Sequence, residues 1–337
     1  MRAVAFNQPG PIDRADSLVE IEQPDPVATG RDLLVRVHAV SVNPVDVKVR
    51  AGMRGGTGDW RVLGYDAAGE VVAVGPEVTG FKVGDAVMYS GQIDRPGSNA
   101  ELQLVDERIV GPKPASLDWA AAAALPLTTI TAWEALFDKL EVTRAIPSAA
   151  HAVLIVNGAG GVGSIAIQLL RALTDLTVIA SASRPETVEW VTDLGAHHVV
   201  NHREPMASQV QALGLGRPGH VFSTSHTDDH YADLIKLIAP QGKLCLIDDP
   251  KSLDAVPLKG KAISLHWELM FTRPIFKTAD MAEQGRLLAE VAGLVDAGKV
   301  RSTLTETIGP ISAANLKTAH ALIESGTARG KVVLAGW

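Results

Sequence analysis

A chain of 337 residues is long for a single hydrophobic core and predicts two domains. Its 46% hydrophobic and 20% charged residues are typical of a soluble globular protein and exclude an intrinsically disordered one. A net charge of −7, the lack of any basic run and an aromatic content of 4% argue against a nucleic-acid-binding surface.

The sequence predicts neither membrane insertion nor export. No segment approaches the ~20 apolar residues that span a bilayer, and the N-terminus (Met1–Pro9) turns polar too soon for a secretory signal. Cys245 is the single cysteine, which excludes an intrachain disulfide and a zinc site built from the cysteines of one chain. We expect a cytoplasmic protein with no membrane partner and no nucleic-acid partner.

Residues 1–125 have the pattern of a small barrel-like β domain. Apolar runs bounded by glycine and proline predict strands at Leu33–Val42 and Gly69–Gly75, and Phe81–Val87 predicts a turn into a further strand. The alanine-rich stretch Trp119–Leu125 predicts a helix that ends at Pro126. We interpret this helix as the junction between the two domains.

From about residue 127 to 265 the pattern alternates strand and helix, as in a parallel α/β sheet. The predicted strands are Val153–Asn157, Leu176–Ser181, His198–Asn201, His220–Ser223 and Lys243–Ile247. The predicted helices are Val162–Thr174, Pro185–Leu194, a short one near Ala207–Leu213, and Asp229–Ala239. The candidate N-caps of the last helix are Ser225, Thr227 and Asp228.

The last part of the chain again mixes helix and strand. The predicted elements are a helix at Met281–Gly298, a strand at Thr303–Ile308, a helix at Ser312–Glu324 and a strand at Lys331–Leu334. We expect these final strands to return to the first domain, which makes that domain discontinuous. The predicted domains are therefore residues 1–125 with 300–337, and residues 126–299.

The stretch from residue 153 to residue 163 carries the most specific local motif. An apolar run ends in a glycine cluster with G-x-G-x-x-G spacing and continues into a helical pattern. The first glycine allows a tight turn, the second lets the backbone approach a pyrophosphate, and the third lets helix and strand pack closely. Phosphate would bind the N–H groups at the helix N-terminus; the alternative is an ordinary strand-to-helix turn. The residues predicted to bind a dinucleotide are Gly158, Gly160, Gly161, Val162 and Gly163.

The end of the second strand of this α/β sheet favours NADPH over NADH. Folds of this type that bind NAD place an Asp or Glu there for the ribose 2′-OH, whereas this chain has Ser181, Ser183 and Arg184 and no acid. Two hydroxyls and a guanidinium would bind a 2′-phosphate by charge-assisted hydrogen bonds, and a carboxylate would repel it. The alternative is that Arg184 is a solvated residue near a helix N-terminus.

Six segments, taken together, resemble the medium-chain dehydrogenase/reductase superfamily over essentially the whole chain. They are Ser41–Asp46, Gly64–Gly69, Val83–Asp85, Asn157–Gly163, Leu194–Ala196 and Gly330–Leu334. The resemblance implies an α/β protein made of a GroES-like β-barrel catalytic domain and a Rossmann domain, which is a doubly wound parallel sheet. It also implies an active site in the cleft between the two.

Two departures from the zinc alcohol dehydrogenases of that superfamily concern the metal. Asn43 stands where those enzymes have their first ligand, a cysteine, and Tyr65 replaces their histidine ligand. The short connection Tyr89–Ala100 also lacks their structural-zinc lobe of four cysteines. Because an amide and a phenol cannot replace thiolate and imidazole on Zn²⁺, we predict no zinc. The chain resembles the zinc-free branch, which includes quinone oxidoreductases, enone reductases and zinc-type alcohol dehydrogenase-like bacterial proteins.

The resemblance also implies roles for single residues of the catalytic domain. Asn43 would contact the nicotinamide ribose, Asp46 would support Asn43, and Tyr65 would donate a hydrogen bond or proton to the acceptor oxygen. Tyr65 is equally well interpreted as a wall of the pocket, and Lys48 is better interpreted as a surface lysine than as a donor.

Further residues would line the cofactor groove by the same resemblance. Thr129 would lie near the nicotinamide, although it could equally cap the helix that follows. Thr224 and Ile247 would line the rest of the groove, and His202 would lie against the adenosine phosphate.

Hydride transfer to a quinone or to the β-carbon of an enone suits a site without a Lewis acid. The charge develops on a delocalised acceptor oxygen, which hydrogen-bond donors can stabilise. We therefore predict an NADPH-dependent reductase of a quinone or an α,β-unsaturated carbonyl. The alternative is an NADPH-binding structural or regulatory protein with vestigial reductase activity. A short-chain reductase is rejected because none of the three tyrosines is followed four residues later by lysine.

Three other features have structural interpretations. His226 and His230 have a spacing that can bind a metal on a helix, but His226 is expected to lie outside the helix, so no metal site is predicted. Cys245 lies in an apolar run and is interpreted as a buried small hydrophobe. The stretch Lys261–Phe276 is strand-like, and the resemblance implies that it forms a sheet edge across which two copies make a homodimer; the alternative is an edge covered within the chain.

Overall fold

The computed structural model describes residues 1–53 and 59–337, and they form two compact units. The first consists of Met1–Ile130 with Phe271–Trp337, and the second of Thr131–Met270. The predicted domains differ from these units chiefly at residues 271–299, which belong to the first unit.

The sheets of the first unit are mainly antiparallel with helices around them, and strands alternate with helices through most of the second unit. The strands are β1 (Arg2–Phe6), β2 (Val19–Glu22), β3 (Asp32–Val42), β4 (Arg61–Val62), β5 (Asp66–Val74), β6 (Ala86–Ser90), β7 (Leu102–Asp106), β8 (Val110–Pro112), β9 (Ala150–Val156), β10 (Thr177–Ser181), β11 (His198–Val200), β12 (Pro218–Ser223), β13 (Lys243–Leu246), β14 (Ser264–Trp267), β15 (Leu304–Gly309) and β16 (Lys331–Ala335). The helices are α1 (Pro44–Ala51), α2 (Trp119–Ala123), α3 (Pro126–Trp133), α4 (Gly161–Leu173), α5 (Pro185–Asp193), α6 (Met206–Ala212), α7 (Thr227–Leu237), α8 (Thr272–Phe276), α9 (Glu283–Asp296) and α10 (Ala313–Glu324).

The first unit is built on the long, mostly buried strand β3. Its N-terminal part pairs with β7, its C-terminal part pairs with β16, and β5 pairs along nearly its full length. The strand order is β15-β16-β3-β5-β6-β8, with β7 paired to β3 beside this path, and β2-β1-β4 form a separate small sheet. Register shifts between Leu34 and Val35 and between Val37 and Ala39 bend β3, which lets one strand serve a barrel-like sheet. Since β16 pairs with β3, the end of the chain returns to this sheet.

Helix α9 belongs to the first unit because it packs directly on β8. A Cβ on Gly111 would lie 2.5 Å from the Cβ of Leu288, so only glycine permits this separation of helix and strand. At the other end of α9 the Asp296 carboxylate accepts hydrogen bonds from the N–H groups of Ala115 and Ser116 (3.0 and 2.9 Å). The sequence pattern showed that α9 is amphipathic, but not which sheet it covers.

The second unit is a six-stranded parallel sheet in the order β11-β10-β9-β12-β13-β14. This is the 3-2-1-4-5-6 order of a doubly wound dinucleotide-binding fold, so the predicted fold class is confirmed. The predicted bounds of the first five strands agree with the structure to within two residues at the C-terminal ends. Helix α7 begins at Thr227, two residues before the predicted start, and the residue that precedes it is His226.

The helical stretch Trp119–Lys139 differs from the prediction in two respects. Pro126 starts α3 instead of only ending α2, since a proline at the first helical position loses no hydrogen bond. The stretch therefore has a length of 21 residues, and among the described residues it is long and apolar enough to cross a membrane by length and composition. The expectation that no segment approaches this length was wrong, although 83% of its most apolar window is buried inside the protein, as in the core helix of a soluble protein.

Candidate active site and cofactor site

Asn43 lies at the junction of β3 and α1 in the first unit. Its extended backbone and the proline at the first position of α1 make it the N-cap. Three residues later, Asp46 accepts the Asn43 backbone N–H through Oδ2 (2.8 Å) and the Gly64 N–H through Oδ1 (3.0 Å). Asp46 thus supports the backbone of residue 43, and it also ties that turn to the segment before β5.

The side-chain amide of Asn43 has hydrogen bonds at both ends. Its Nδ2 donates to Asp66 Oδ2 (2.8 Å), and its Oδ1 accepts from the ammonium of Lys331. Lys331 Nζ also lies 3.2 Å from Asp66 Oδ2 and donates to the carbonyl of Val42 (3.2 Å). Asp66 Oδ1 accepts the N–H of Leu127 (2.7 Å). The amide plane of Asn43 is therefore held by one buried cation and one buried anion.

Burial dominates the electrostatics of this network. It raises the pKa of Asp66 and lowers the pKa of Lys331, and the proximity of the two opposes both shifts. Burial, with a smaller contribution from Asp66, also raises the pKa of Asp46 to about 7. A carboxyl whose pKa is higher in the folded than in the unfolded state favours folding at low pH. The contribution of Asp46 to stability is therefore lost as the pH rises from about 4 towards 7.

Tyr65 follows Gly64 and is 1% exposed. Its ring packs edge-on against Phe271, with the centroids 5.2 Å apart. Gly64 has a φ of +100°, and a Cβ on it would lie 2.5 Å from Ser98 Oγ, so the turn before Tyr65 requires glycine. The Tyr65 ring thus forms part of an apolar wall, and its predicted role as a donor stays a prediction.

Thr129 and Lys48 were the other polar candidates in the first unit. Thr129 lies inside α3, so it does not cap that helix, and its fully buried Oγ1 has no hydrogen-bond partner among the described residues. A buried unpaired hydroxyl is costly, and a ligand at that atom would remove the cost. The Lys48 side chain is exposed, which agrees with its interpretation as a surface lysine.

The donor set at residues 43 and 65 does not fit a zinc ion. Both ends of the Asn43 amide are already hydrogen-bonded, and its oxygen faces an ammonium that would repel a divalent cation. Within residues 1–53 and 59–337 no group of three or more His, Cys, Asp and Glu side chains is arranged to hold a metal.

The three motif glycines of the second unit are under different constraints. A Cβ on Gly163 would lie 2.5 Å from the carbonyl oxygen of Asn157, and one on Gly158 would lie 2.9 Å from Ala180 Cβ. Gly160 has more room, because its nearest contact would be the Asn157 side-chain nitrogen at 3.2 Å. The fold itself requires Gly163 and Gly158, whereas the need for glycine at 160 is explained by a ligand that approaches the loop. This cradle fits a dinucleotide pyrophosphate, with the N–H groups of Gly161, Val162 and Gly163 at the start of α4.

Asn157, which the sequence placed at the end of a strand, connects the loops of this edge of the sheet. It has a φ of +57°, a conformation that asparagine tolerates better than most residues. Its N–H donates to Ser181 Oγ (2.8 Å), and its Nδ2 donates to Ser225 Oγ (3.0 Å). Ser181 Oγ in turn lies 3.0 Å from His202 Nδ1. The structure therefore brings the glycine loop, Ser181 and His202 together.

Arg184 contacts an acidic side chain close to it in the sequence. Its Nε lies 3.1 Å from the carboxylate of Glu186, and both side chains are partly exposed. The strand end itself has no acid, but Glu186 lies two residues after Arg184 and contacts the guanidinium that is predicted to bind the 2′-phosphate. Ser183 is half-buried between Ser181 and Arg184.

Thr224 and Ile247 follow β12 and β13 at the same edge of the sheet. Thr224 Oγ1 donates to the carbonyl of Val156 (2.8 Å), and Ile247 is half-buried. Asp248, which sequence reasoning missed, accepts both the N–H and the hydroxyl of Thr227 (2.8 and 2.6 Å). It therefore holds the start of α7 in place of the predicted caps. Its position two residues after the end of β13 was the signal that could have identified it.

Cys245 and the histidines of α7 agree with their structural interpretations. Cys245 is fully buried, and burial raises the pKa of its thiol. His226 precedes α7 and His230 lies within it. The two side chains are therefore not on consecutive turns of one helix.

Comparison with known proteins agrees with this architecture. The chain matches the alcohol dehydrogenase GroES-like domain over residues 29–115 and the zinc-binding dehydrogenase family over residues 194–334. A zinc-type alcohol dehydrogenase-like protein of Staphylococcus aureus (strain COL) is 40% identical over 99% of both chains. The chloroplastic NADPH-dependent alkenal/one oxidoreductase of Arabidopsis thaliana is 30% identical over 90% of this chain and 71% of its own length.

A solved structure from Rhizobium etli CFN 42, described as a candidate zinc-dependent alcohol dehydrogenase, is also similar. It is 64% identical, with a TM-score of 0.98 over 100% of this chain and 98% of its own. A barrel-like GroES-type unit and a doubly wound dinucleotide-binding unit define a nicotinamide-dependent oxidoreductase. The chain belongs to the medium-chain dehydrogenase/reductase superfamily.

Proposed function

We propose that the protein is an NADPH-dependent reductase that transfers hydride, without zinc, to a quinone or to the β-carbon of an α,β-unsaturated carbonyl. The observation that carries this proposal is the hydrogen-bonded amide of Asn43, held by Lys331 and Asp66 where zinc alcohol dehydrogenases have a metal ligand. The name of the Arabidopsis thaliana relative, an NADPH-dependent alkenal/one oxidoreductase, supports the acceptor class.

The residues of the two units have separate tasks in this proposal. Bound NADPH supplies the hydride, and the acceptor gains that hydride together with one proton. The glycine loop binds the pyrophosphate, and Asn43, held by Lys331 and Asp66, is the residue of the first unit assigned to the nicotinamide ribose. Tyr65 donates a proton or hydrogen bond to the acceptor oxygen, where negative charge develops.

The acceptor class is tested by following NADPH oxidation at 340 nm with quinones, 2-enals and enones. We expect turnover that a zinc chelator leaves unchanged, and purified protein with substoichiometric zinc. The Tyr65→Phe variant should lose roughly 100-fold in kcat, since general acids contribute about 10²–10⁴-fold. Tyr231→Phe is the matched control, because the Tyr231 hydroxyl donates to the carbonyl of Asp254. Undiminished turnover in Tyr65→Phe would remove Tyr65 from the acid role.

The same screen separates the proposal from its alternative. Tight NADPH binding with no turnover on any acceptor would favour an NADPH-binding structural or regulatory protein. Turnover that a chelator abolishes and added zinc restores would contradict the zinc-free mechanism.

The preference for NADPH is tested at Arg184. The Arg184→Glu variant should bind NADPH roughly 100-fold more weakly, because it loses charge-assisted hydrogen bonds worth about 1.5–3 kcal/mol and adds repulsion. NADH binding should change little. Because Glu186 contacts Arg184, Glu186→Gln is the companion variant and should bind NADPH slightly more tightly. An unchanged ratio of the two dissociation constants in Arg184→Glu would contradict the assignment.

We also propose that the protein is a homodimer joined through the edge strand β14. Trp267 on this strand is 50% exposed, and Leu269 just after it is 55% exposed. An edge strand with apolar side chains is a surface that a second copy would cover. Sedimentation equilibrium of the wild type and of Trp267→Lys measures the oligomeric state directly. A monomeric wild type would overturn the proposed homodimer.

A further inference from the structure

We propose that a cavity in the first unit, lined by Arg36, His38 and Trp337 among other residues, binds a small aromatic carboxylate. The cavity has a volume of about 420 Å³, and its lining residues all belong to the first unit. Sites for small molecules typically have volumes of about 300–1,000 Å³. The carboxylate site is independent of the proposed function, because its lining includes neither Asn43 nor Tyr65.

Two side chains of β3 form one wall of the cavity. Arg36 and His38 alternate with the buried Val35 and Val37, so they lie on the outer face of the barrel-like sheet. The segment after β16 is fixed beside this wall, because the N–H of Gly336 donates to the carbonyl of His38 (2.8 Å). The strand and this segment together place the indole of the next residue in the lining of the cavity.

That indole, Trp337, is the second wall. The guanidinium carbon of Arg2 lies 5.6 Å from the centroid of the indole ring, which is a cation–π contact. Arg2 is held in turn by the carboxylate of Glu101, which accepts its backbone N–H and its Nε (both 2.8 Å). The Nε1–H of Trp337 is buried and has no hydrogen-bond partner among the described residues. A buried N–H without a partner is costly, and a ligand that supplies an acceptor would remove that cost.

The charges of the lining favour an anionic ligand. The guanidinium of Arg36 is exposed and forms no salt bridge with any residue that the structure describes. The two carboxylates of the lining are occupied, since Asp25 contacts the ammonium of Met1 (2.9 Å) and Glu101 contacts Arg2 (2.8 Å). The cavity therefore has donors without acceptors, and the missing acceptor has to come from the ligand.

A carboxylate suits these charges better than a phosphate does. Glu70 on β5 is the register partner of Arg36, so the single unpaired cation already has one acid across from it. Burial lowers the pKa of His38, and Arg36 lowers it further against the opposing effect of Glu70. The His38 ring is therefore neutral at neutral pH and offers a hydrogen bond but no second positive charge. One cation balances a monoanion and leaves half the charge of a dianion unpaired.

The aromatic rings of the lining favour a flat ligand. The His38 ring is stacked on Trp119, with centroids 4.5 Å apart and planes tilted by 26°, so its orientation is fixed. Trp337 adds an indole, and Leu102 adds a half-buried aliphatic side chain. Aromatic side chains bind planar groups through offset-stacked or edge-to-face contacts. The ligand class is therefore an aromatic ring that carries one carboxylate.

Calorimetry with two probes tests the site. The first probe is 1-naphthoate, and the second is 1-naphthalenemethanol, which has the same ring system without the charge. Both are titrated into the full-length wild type and into Arg36→Gln, Trp337→Phe and Tyr65→Phe. The matched controls are Arg144→Gln and Trp60→Phe, because both side chains are exposed and lie outside the lining of the cavity.

We expect the wild type, both controls and Tyr65→Phe to bind 1-naphthoate equally well, and 1-naphthalenemethanol at least roughly tenfold more weakly. Arg36→Gln should weaken 1-naphthoate binding at least roughly tenfold, because a charge-assisted hydrogen bond is lost. Trp337→Phe keeps an aromatic ring but removes the N–H, so it should weaken binding roughly fivefold.

Fluorine NMR locates the probe independently. The chain has six tryptophans, and after 5-fluorotryptophan labelling the resonance that is missing from Trp337→Phe belongs to Trp337. We expect 1-naphthoate to shift this resonance in the wild type, and not in Arg36→Gln at the same concentration. A merely structural role of Arg36 would not produce this dependence on the ligand.

Three outcomes would overturn the carboxylate site. The first is no binding of 1-naphthoate to the wild type at millimolar concentration, or unchanged binding in Arg36→Gln. The second is binding that Tyr65→Phe weakens and Arg36→Gln does not, which would place the probe in the proposed acceptor site. The third is equal affinity for 1-naphthalenemethanol. A failure of the reductase screen would leave the carboxylate site unaffected, so the two proposals fail separately.

Discussion

Gly163→Ala should destabilise the second unit by about 3 kcal/mol and abolish measurable cofactor binding. The new methyl group would lie 2.5 Å from the carbonyl oxygen of Asn157 and 2.6 Å from the Cα of Gly158. Both are backbone atoms, so the clash cannot be relieved by turning a side chain. Overpacking in such a place costs about 1–3 kcal/mol or more. Thermal unfolding and NADPH titration by fluorescence measure the two effects.

Gly160→Ala is the matched variant within the same motif. A methyl group there would lie 3.2 Å from the side-chain nitrogen of Asn157 and 3.6 Å from its carbonyl oxygen, which is an ordinary contact, and the backbone of Gly160 already has a φ of −69°, which alanine adopts without strain. We expect its stability to change by less than about 1 kcal/mol, while NADPH affinity falls at least roughly tenfold because the loop can no longer approach the pyrophosphate. Equal losses of stability in both variants would contradict the different roles of the two glycines.

Lys331→Met should cost about 3–5 kcal/mol of folding free energy at neutral pH. The substitution leaves the carboxylate of Asp66 buried without its cation, and the oxygen of Asn43 loses a donor. The unpaired Asp66 carboxyl then binds a proton more strongly in the folded state. The loss of folding free energy relative to the wild type should therefore become smaller as the pH falls from about 8 to 5. Urea unfolding at both pH values measures this.

Two further variants control the Lys331 experiment. Lys299→Met removes an exposed lysine and should change stability by less than about 0.5 kcal/mol. The double variant Lys331→Met with Asp66→Asn removes both charges and should recover part of the lost stability. If Lys331→Met is as stable as the Lys299→Met control, the buried network does not have the role assigned to it. NADPH turnover should fall in Lys331→Met even at temperatures where it is folded, since Asn43 is then no longer held at both ends.

The predicted residues of the cofactor site differ in how well their surroundings could be anticipated. Gly158, Gly160 and Gly163 are identified by spacing alone, because a strand-turn-helix connection that leaves room for a phosphate needs glycine at fixed intervals. The pairing of Arg184 with Glu186 could not be predicted, since a side chain two residues away can point in several directions. His230 was considered only for a metal pair with His226, which was rejected, yet its ring lies beside His202, from which it is separated along the chain by α6 and β12.

By itself, the sequence determined the doubly wound parallel sheet, its glycine loop and the superfamily. These depend on apolar alternation, glycine spacing and the order of short motifs, and each of these patterns involves residues that are close together in the sequence. Only the tertiary structure decided what surrounds Asn43, because Lys331 is 288 positions away and Asp66 is 23 positions away. It also decided that α9 packs against the first unit, since an amphipathic pattern shows that a face is buried but not what buries it. Which buried charges pair across long stretches of the chain depends on the topology, and no local pattern of residues predicts it.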